Sequence, residues 1–578
     1  MRKPSPKTSP EGPYESANNV LSKPSFDRDA LEKMEFLNSL EQKLSNLVGI
    51  QGDLRRLDIV IGLLTDHFLG RSTTMSSLAA SSKLTYSTAY RSIEAMIYDG
   101  AIVRRTKTKS GKTFSLHPSQ DLLAGWHMTM ADAKFRSDKR PKKLSAGQSQ
   151  LNNNTHRLIG PPAVLSESIG LSRGLRLLMH ADPTFMAMHT LKRQFELILG
   201  VDIRSKALSI DRLDDEIHRN AKRKYSDYDV IACDMPWFGD LIANSQLLPL
   251  DEIDATSAKK FSDFYPDAIK NVTRNGKVFG VPLLTTAELL VYRKDLFAEL
   301  GISPPRTTSD VLTAATKVME TSAATYGIAW NGARGTAMGH TFMTIMAAHG
   351  CPIVELPRKA GDFNLPTDVM ARPEANFLRP EAEETLDFLL ELMPYSPPNV
   401  LNMNWYDRAR SYGRGDVGMA YSHTLLANLF ELDNTSAAHG TTGYVAHPTG
   451  PNGTPVCPLG GYALAIPANI EPRRIDGAIS AIEALTSPEA AKLYVANGSL
   501  ASPRYSVNSD PEVRIVSPMF EFVDDMSKNG VLKVWPRPPV RGIKAVINIA
   551  GEEVHDALTG KTTVTDALSR AQERCTKL

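Results

Sequence analysis

Cysteine is scarce: the 578 residues hold four, Cys233, Cys351, Cys457 and Cys575, far apart, with no CxxC pair and no histidine at a zinc-ligand spacing. Neither a disulfide framework nor a metal site is indicated. Long apolar runs are missing as well. The opening "MRKPSPKTSPEGPYESANNVLSKPS" has no apolar stretch of the secretory kind, and no later segment is apolar enough to cross a bilayer. The expectation is a cytoplasmic protein with no membrane partner and a disordered tail over residues 1–26. Catalytic signatures are absent too: there is no HExxH, P-loop or Rossmann glycine cluster. "GLSRG" at 170–174 has the letters of G-x-S-x-G, but a nucleophile elbow needs a strand before it and a helix after, and here a loop-like "SESI" precedes and a strand follows. No enzyme, no catalytic residue, no metal and no cofactor are expected.

What is present is ordinary globular chemistry, 42 % hydrophobic and 22 % charged, in a chain long enough for two or three domains. Its net charge of +2 hides a division. Residues 1–160 carry 24 Lys and Arg against 15 Asp and Glu, and the remainder 42 against 49. A basic end on a mildly acidic body suggests that only the first part meets a polyanion.

Within that basic part, Leu37, Leu40, Leu44 and Leu47 make the seam of a short amphipathic helix, which either pairs two subunits or packs on its own domain. Helices follow at 54–69, to about Ser82, and after Thr85, a hydroxyl N-cap. In the last of these Ala89, Ile93, Met96 and Ile97 form one buried stripe, leaving Tyr86, Ser87, Thr88, Tyr90 and Arg91 outward. "AIVRRTKTKSGKTFSL" then reads as a hairpin around Lys109-Ser110-Gly111, with Arg104, Arg105, Lys107, Lys109 and Lys112 along its arms. This order makes a winged helix-turn-helix over residues 27–136. The segment resembles the DNA-binding domains of bacterial regulators of the MarR and IclR kinds, in which "S-T-x-Y-R" opens the recognition helix and "D-G-x-I/V-x-R" leads into the wing. The ten outward and wing residues are the expected contacts to double-stranded DNA, helix residues to base edges and wing cations to phosphates. A homodimer is expected on physical grounds, because two copies on a pseudo-palindrome multiply affinity and specificity. The alternative is a winged helix that docks a protein.

Residues 137–170 are polar and read as a linker. From Leu175 the rhythm becomes strand, helix, strand, which implies a mainly parallel sheet with ligands beyond its strand ends. Asp182 and Asp234 follow two of those strands. "NGKVFGVPLLTTAELLVYRKDLFAELGISPP", "YGRGDVGMAYSHTLLANL" and "LGGYALAIPANIEPRRIDGAISAIEALTSPEAAKLYV" resemble, in order, the extracellular solute-binding proteins of family 1, the sugar-binding class that feeds ABC transporters. The resemblance implies, for residues 171–578, a two-lobed α/β fold of the type II periplasmic-binding-protein kind that closes on a small molecule. Sugars stack on aromatic rings while fixed polar groups meet their hydroxyls. At the cleft loops of the family stand Trp237, Thr286, Glu288, Asn331, Tyr421, His423 and Tyr462, the last where the family often has Trp; Asp182 and Asp234 are added as strand-end carboxylates. Trp405 is either a ligand contact or a helix-core aromatic, His423 either a ligand contact or a helix cap, and Arg504 either meets a charge on the ligand or pairs with an acidic group on the other lobe. The family is normally exported, whereas a DNA-binding domain stands here where a signal peptide would be. The expectation is therefore a multidomain cytoplasmic regulator that senses a sugar or sugar derivative by lobe closure.

Overall fold

The computed structural model describes residues 54–69, 71–106, 114–137, 158–250, 261–320 and 324–578. The expected leucine seam of residues 37–47, Lys107, Lys109, Lys112 and the turn between them lie outside the described residues, as do 138–157.

Helices Leu54–Phe68, Met75–Ser81 and Tyr86–Tyr98 are followed by strands β1 (Ile102–Thr106) and β2 (Phe114–Pro118), paired antiparallel, and by helix Gln120–Ser137. Thr74 starts the second helix through a capping box with Ser77. Ala89, Ile93 and Met96 are buried against Ile59, Leu63, Leu78, Ile102 and Leu116, so this segment has its own core. Tyr86, Ser87, Tyr90 and Arg91 are exposed, whereas Thr88 and Ile97 are half-buried. Thr85 makes no side-chain cap; its hydroxyl meets that of Thr88 at 2.8 Å.

Arg105 departs from the expected wing contact with phosphate. It is 6 % exposed and donates to Leu165 O at 3.0 Å and to the carbonyls of Leu197 and Ile198. A guanidinium spent on three backbone carbonyls, one at the end of the linker and two in the second domain, has no free face for a phosphate. Arg104 is exposed and lies over the Phe114 ring at 3.7 Å. The end of the expected linker is also packed, with Val164 and Ile169 buried and Leu165 N and Ile169 N bonded to Ile198 O and Leu199 O.

The rest is built on one sheet. We label its strands β3 (Leu175–His180), β4 (Ile203–Leu208), β5 (Val230–Asp234), β6 (Val281–Arg293), β7 (Tyr326–Ala329), β8 (Val417–His423), β9 (Thr442–Val445), β10 (Cys457–Ala465) and β11 (Leu532–Lys533). The order is β4-β3-β5-β10-β6-β8-β7, with β9 beside β6 and β11 beside β10. Strands β3, β4 and β5 are parallel; β3 and β5 are buried apolar runs, whereas β4, with the sequence IRSKAL at the sheet edge, is largely exposed. β6 and β10 are antiparallel and belong to two cores at once. Leu283, Leu284 and Tyr462 pack with Leu177, Phe185 and Ile231 in lobe 1; Ala287, Leu289 and Leu459 pack with Phe342, Leu386 and Met419 in lobe 2. The lobes therefore meet where β6 and β10 cross from one core to the other, at Thr285–Glu288 and Gly460–Gly461.

Candidate functional site

Lobe 1 supplies an aromatic wall. β3 ends at His180, and Asp182 caps the next helix by accepting from Thr184 N at 2.8 Å and Phe185 N at 3.0 Å. Its other oxygen lies 3.2 Å from His180 Nδ1. The His180 ring stacks on Tyr462 at 4.8 Å, and Phe185 and Trp237 meet the same Tyr462 edge-on at 5.9 and 6.5 Å. Trp237 is placed by Pro236 in the short turn that follows β5. Asp234, the last residue of β5, is buried, and burial pushes its carboxyl up against the pull of Arg537 and His180.

Lobe 2 supplies a polar wall. Glu288 on β6 and His423 on β8 are paired across the ladder, so their side chains share a face. Arg408, fully buried on helix Trp405–Arg414, forks onto Glu288 at 2.6 and 3.0 Å. His423 Nδ1 is 2.6 Å from Glu288 Oε2, close enough for an ion pair but poorly aligned for a hydrogen bond. Burial would raise the Glu288 carboxyl, but Arg408 and His423 outweigh it and hold that group well below the ordinary range. Burial lowers His423, and burial together with Arg537 lowers His340, whose ring stands 6.0 Å from Trp405 and 5.9 Å from His423. Tyr421 stacks on His447 at 4.8 Å. Among the described residues, the Tyr421 hydroxyl, both His447 ring nitrogens, Asn331 Oδ1 and Arg408 Nε are buried without a partner. Each is a group whose desolvation is uncompensated until something polar reaches it.

The walls touch through residues 537–544. Arg537 Nη2 is 3.4 Å from Asp234, Gly542 N donates to Asp240 at 3.0 Å, and Lys544 pairs with Asp214. These three contacts join the two lobes.

The residues expected in the cleft divide accordingly. Asp182, Asp234, Trp237 and Tyr462 stand on the lobe 1 side, and Glu288, Asn331, Trp405, Tyr421 and His423 on the lobe 2 side. Thr286 is a strut at the crossing: its hydroxyl accepts from Leu425 N at 3.3 Å and meets Thr424 Oγ1. Arg504 is elsewhere, paired with Asp263 at 3.0 Å and lying over Phe264 at 3.8 Å, beside a cavity of about 370 Å³ lined by Leu250, Phe261 and Ile482. That cavity and a groove of about 800 Å³ between the N-terminal segment and lobe 1 are both apart from the polar and aromatic walls. Sequence reasoning missed Arg537, Arg408, His340 and His447. Arg408 could have been found, three positions after Trp405 on one helix face. Among the described residues, no group of three His, Cys, Asp or Glu could hold a metal ion, and no helix is long and apolar enough to cross a membrane.

Residues 220–492 match the family model described as bacterial extracellular solute-binding protein. The C-terminal region is thus a family 1 solute-binding domain with the two-lobed fold. Among its relatives, a "Probable ABC transporter-binding protein" of Deinococcus radiodurans is 24 % identical over 61 % of this chain and 81 % of its own. A "Probable amino-acid ABC transporter periplasmic-binding protein" of Sinorhizobium fredii is 23 % identical over 69 % and 87 %. Among solved structures, a solute-binding protein of Agrobacterium radiobacter in complex with ribitol is 24 % identical and covers 70 % of this chain and 98 % of its own, with a TM-score of 0.63. Maltose-bound MalE3 of T. maritima is 22 % identical and covers 70 % and 99 %, at 0.60.

These relatives correct two expectations. The family is described as extracellular and a relative as periplasmic, which overturns the cytoplasmic location. The relatives are binding proteins of transporters, which overturns the transcription regulator and its contacts to double-stranded DNA through Tyr86, Ser87, Thr88, Tyr90, Arg91 and Arg104; Arg105 is already engaged inside the molecule.

Proposed function

We propose that the cleft binds a polyhydroxylated solute, a sugar or polyol, and that the chain captures it outside the cytoplasm for a transporter, without chemical conversion. The observation that carries this is the pairing of the His180, Tyr462 and Trp237 rings on one lobe with unpartnered donors and acceptors at Tyr421, His447 and Asn331 on the other. Flat rings suit the C–H faces of a sugar, and neutral hydroxyl and imidazole groups suit its hydroxyls. The fold neighbours with bound ribitol, maltose and D-mannitol support the same class. We further infer that residues 54–137 form a winged-helix-shaped module, since three helices and a hairpin share one core, seated on lobe 1.

A thermal-shift series on the full chain with ribitol, D-mannitol, D-tagatose and maltose tests the reading. A ligand at a hundred times its Kd stabilises by roughly 2.7 kcal/mol, and Tyr462→Ala removes the effect. No shift with any of them overturns the assignment.

A further inference from the structure

The cavity of about 370 Å³ beside Arg504 is walled by Leu250, Phe261, Phe264, Val281, Ile479 and Ile482, most of which pack with the core of lobe 1. The polar groups in its lining are largely spent on the protein itself. Thr486 Oγ1 donates to Ile482 O at 2.7 Å, and Ser487 Oγ accepts from Ala490 N at 3.1 Å. Arg504 differs. It is 9 % exposed, its Nε donates to Thr486 O at 2.9 Å and its Nη1 to Asp263 at 3.0 Å, but among the described residues Nη2 has no hydrogen-bond partner. A guanidinium carries five donors, so a buried one with an idle nitrogen has given up water without full return. The cavity also borders a passage between the lobes. Phe261 packs on the core of lobe 1 and Tyr265 lies in that of lobe 2, and Phe264, between them in the chain, is bridged to Arg504.

We propose that this cavity is a second binding site, separate from the cleft, for a small neutral molecule with an apolar aromatic body and one carbonyl oxygen that accepts from Arg504 Nη2. A ligand cavity combines a mostly apolar lining with a few placed polar groups, and this one has that composition. Two phenylalanine rings and four aliphatic side chains favour the body by taking its apolar surface out of water. Charge decides the polar end. The Arg504 cation is already met by Asp263, which is itself held by Ser506 N at 2.8 Å and Ser506 Oγ at 2.6 Å. A ligand carboxylate would set a second negative charge near Asp263 and near Glu483, which also lines the cavity, whereas a carbonyl takes the idle N–H and meets no such repulsion. A polyol would leave hydroxyls against apolar walls, so the cavity and the cleft select different molecules.

Ligand-observed NMR titration of the full chain with hydrocinnamamide, hydrocinnamate and propylbenzene, which share one phenylpropyl frame, tests this in the wild type, Arg504→Met and Ile479→Trp. Ile479 is half-buried, and a larger ring there fills the cavity while leaving the arginine in place, so that variant remains informative if Arg504→Met folds poorly. The amide is expected to bind the wild type roughly 10- to 100-fold more tightly than propylbenzene, as one hydrogen bond to a charged group does. It is expected to fall to the propylbenzene level in Arg504→Met and to lose binding in Ile479→Trp, and hydrocinnamate to bind the wild type more weakly than the amide. A wild type that does not bind the amide, or an Ile479→Trp variant that binds it equally well, overturns the site. Equal affinity for the amide and propylbenzene overturns the contact with Arg504. Hydrocinnamate binding tightest of the three makes the cavity an anion site and overturns the neutral class.

Discussion

His447 carries two unpartnered ring nitrogens into the core of lobe 2, and burial lowers it from 6.5 to about 4. Between those values the unfolded chain takes up a proton that the folded chain refuses, so stability is present above 6.5 and falls as the pH drops toward 4. Glu288, held low by Arg408 and His423 against its burial, loses its contribution only further down, and Asp234, pushed up by burial, works in the opposite sense. Urea unfolding at pH 7 and pH 4.5 is expected to show His447→Phe losing about 2 kcal/mol less than the wild type over that interval. An equal loss in both places the titration elsewhere. At this scale the sequence was legible in part. Asp234, Trp237 and Tyr462 lie at or beside strand positions that a pattern locates. Arg537 and Arg408 meet their carboxylates 303 and 120 positions away, a convergence no local spacing contains. Arg504 had the right charge, but Asp263 had already claimed it.

Among elements, β6 and β10 decide the architecture. Both lie largely within segments that resemble the solute-binding family, but nothing in their letters shows that each serves two cores, because a buried run fits either one. The stretch 183–200 breaks into two helices, Pro183–Thr190 and Lys192–Leu199, with Thr190 Oγ1 back-bonded to Met186 O at 3.0 Å just before the break. The adjacent glycines of β10 have different duties. Gly461 sits at φ +127°, and a Cβ there would fall 2.2 Å from Leu284 O, a backbone atom that cannot step aside. Gly461→Ala is expected to destabilise by about 2 kcal/mol or more in urea titration, from strain and contact together. Gly460→Ala meets only the end of a side chain and is expected to cost less than half as much. Equal costs would mean that the crossing strands tolerate a Cβ at both positions alike.

For the whole molecule, the division of charge was visible and its meaning was not. The basic N-terminal part suggested a polyanion, yet one of its arginines serves the protein's own carbonyls. Arg105→Ala is expected to lower stability by about 3 kcal/mol, while Arg104→Ala, exposed on the Phe114 ring, costs less than about 1 kcal/mol. Comparable losses in thermal unfolding would mean that Arg105 does not hold the module. The module is also fastened a second time: His127 Nε2 lies 2.7 Å from Glu512, which with Asp510 receives Lys492, and Asp510 accepts from Ile159 N at 2.9 Å. Val507 and Val513, on either side of those carboxylates, belong to the core of lobe 2, whereas Leu199, beside the Arg105 anchor, belongs to lobe 1. A body pinned at two points to two parts closes a kinematic loop. Lobe rotation then cannot be a free swing about β6 and β10; it must be shared with one of the two pins, and the stiffer that pin, the smaller the angle through which the cleft can open.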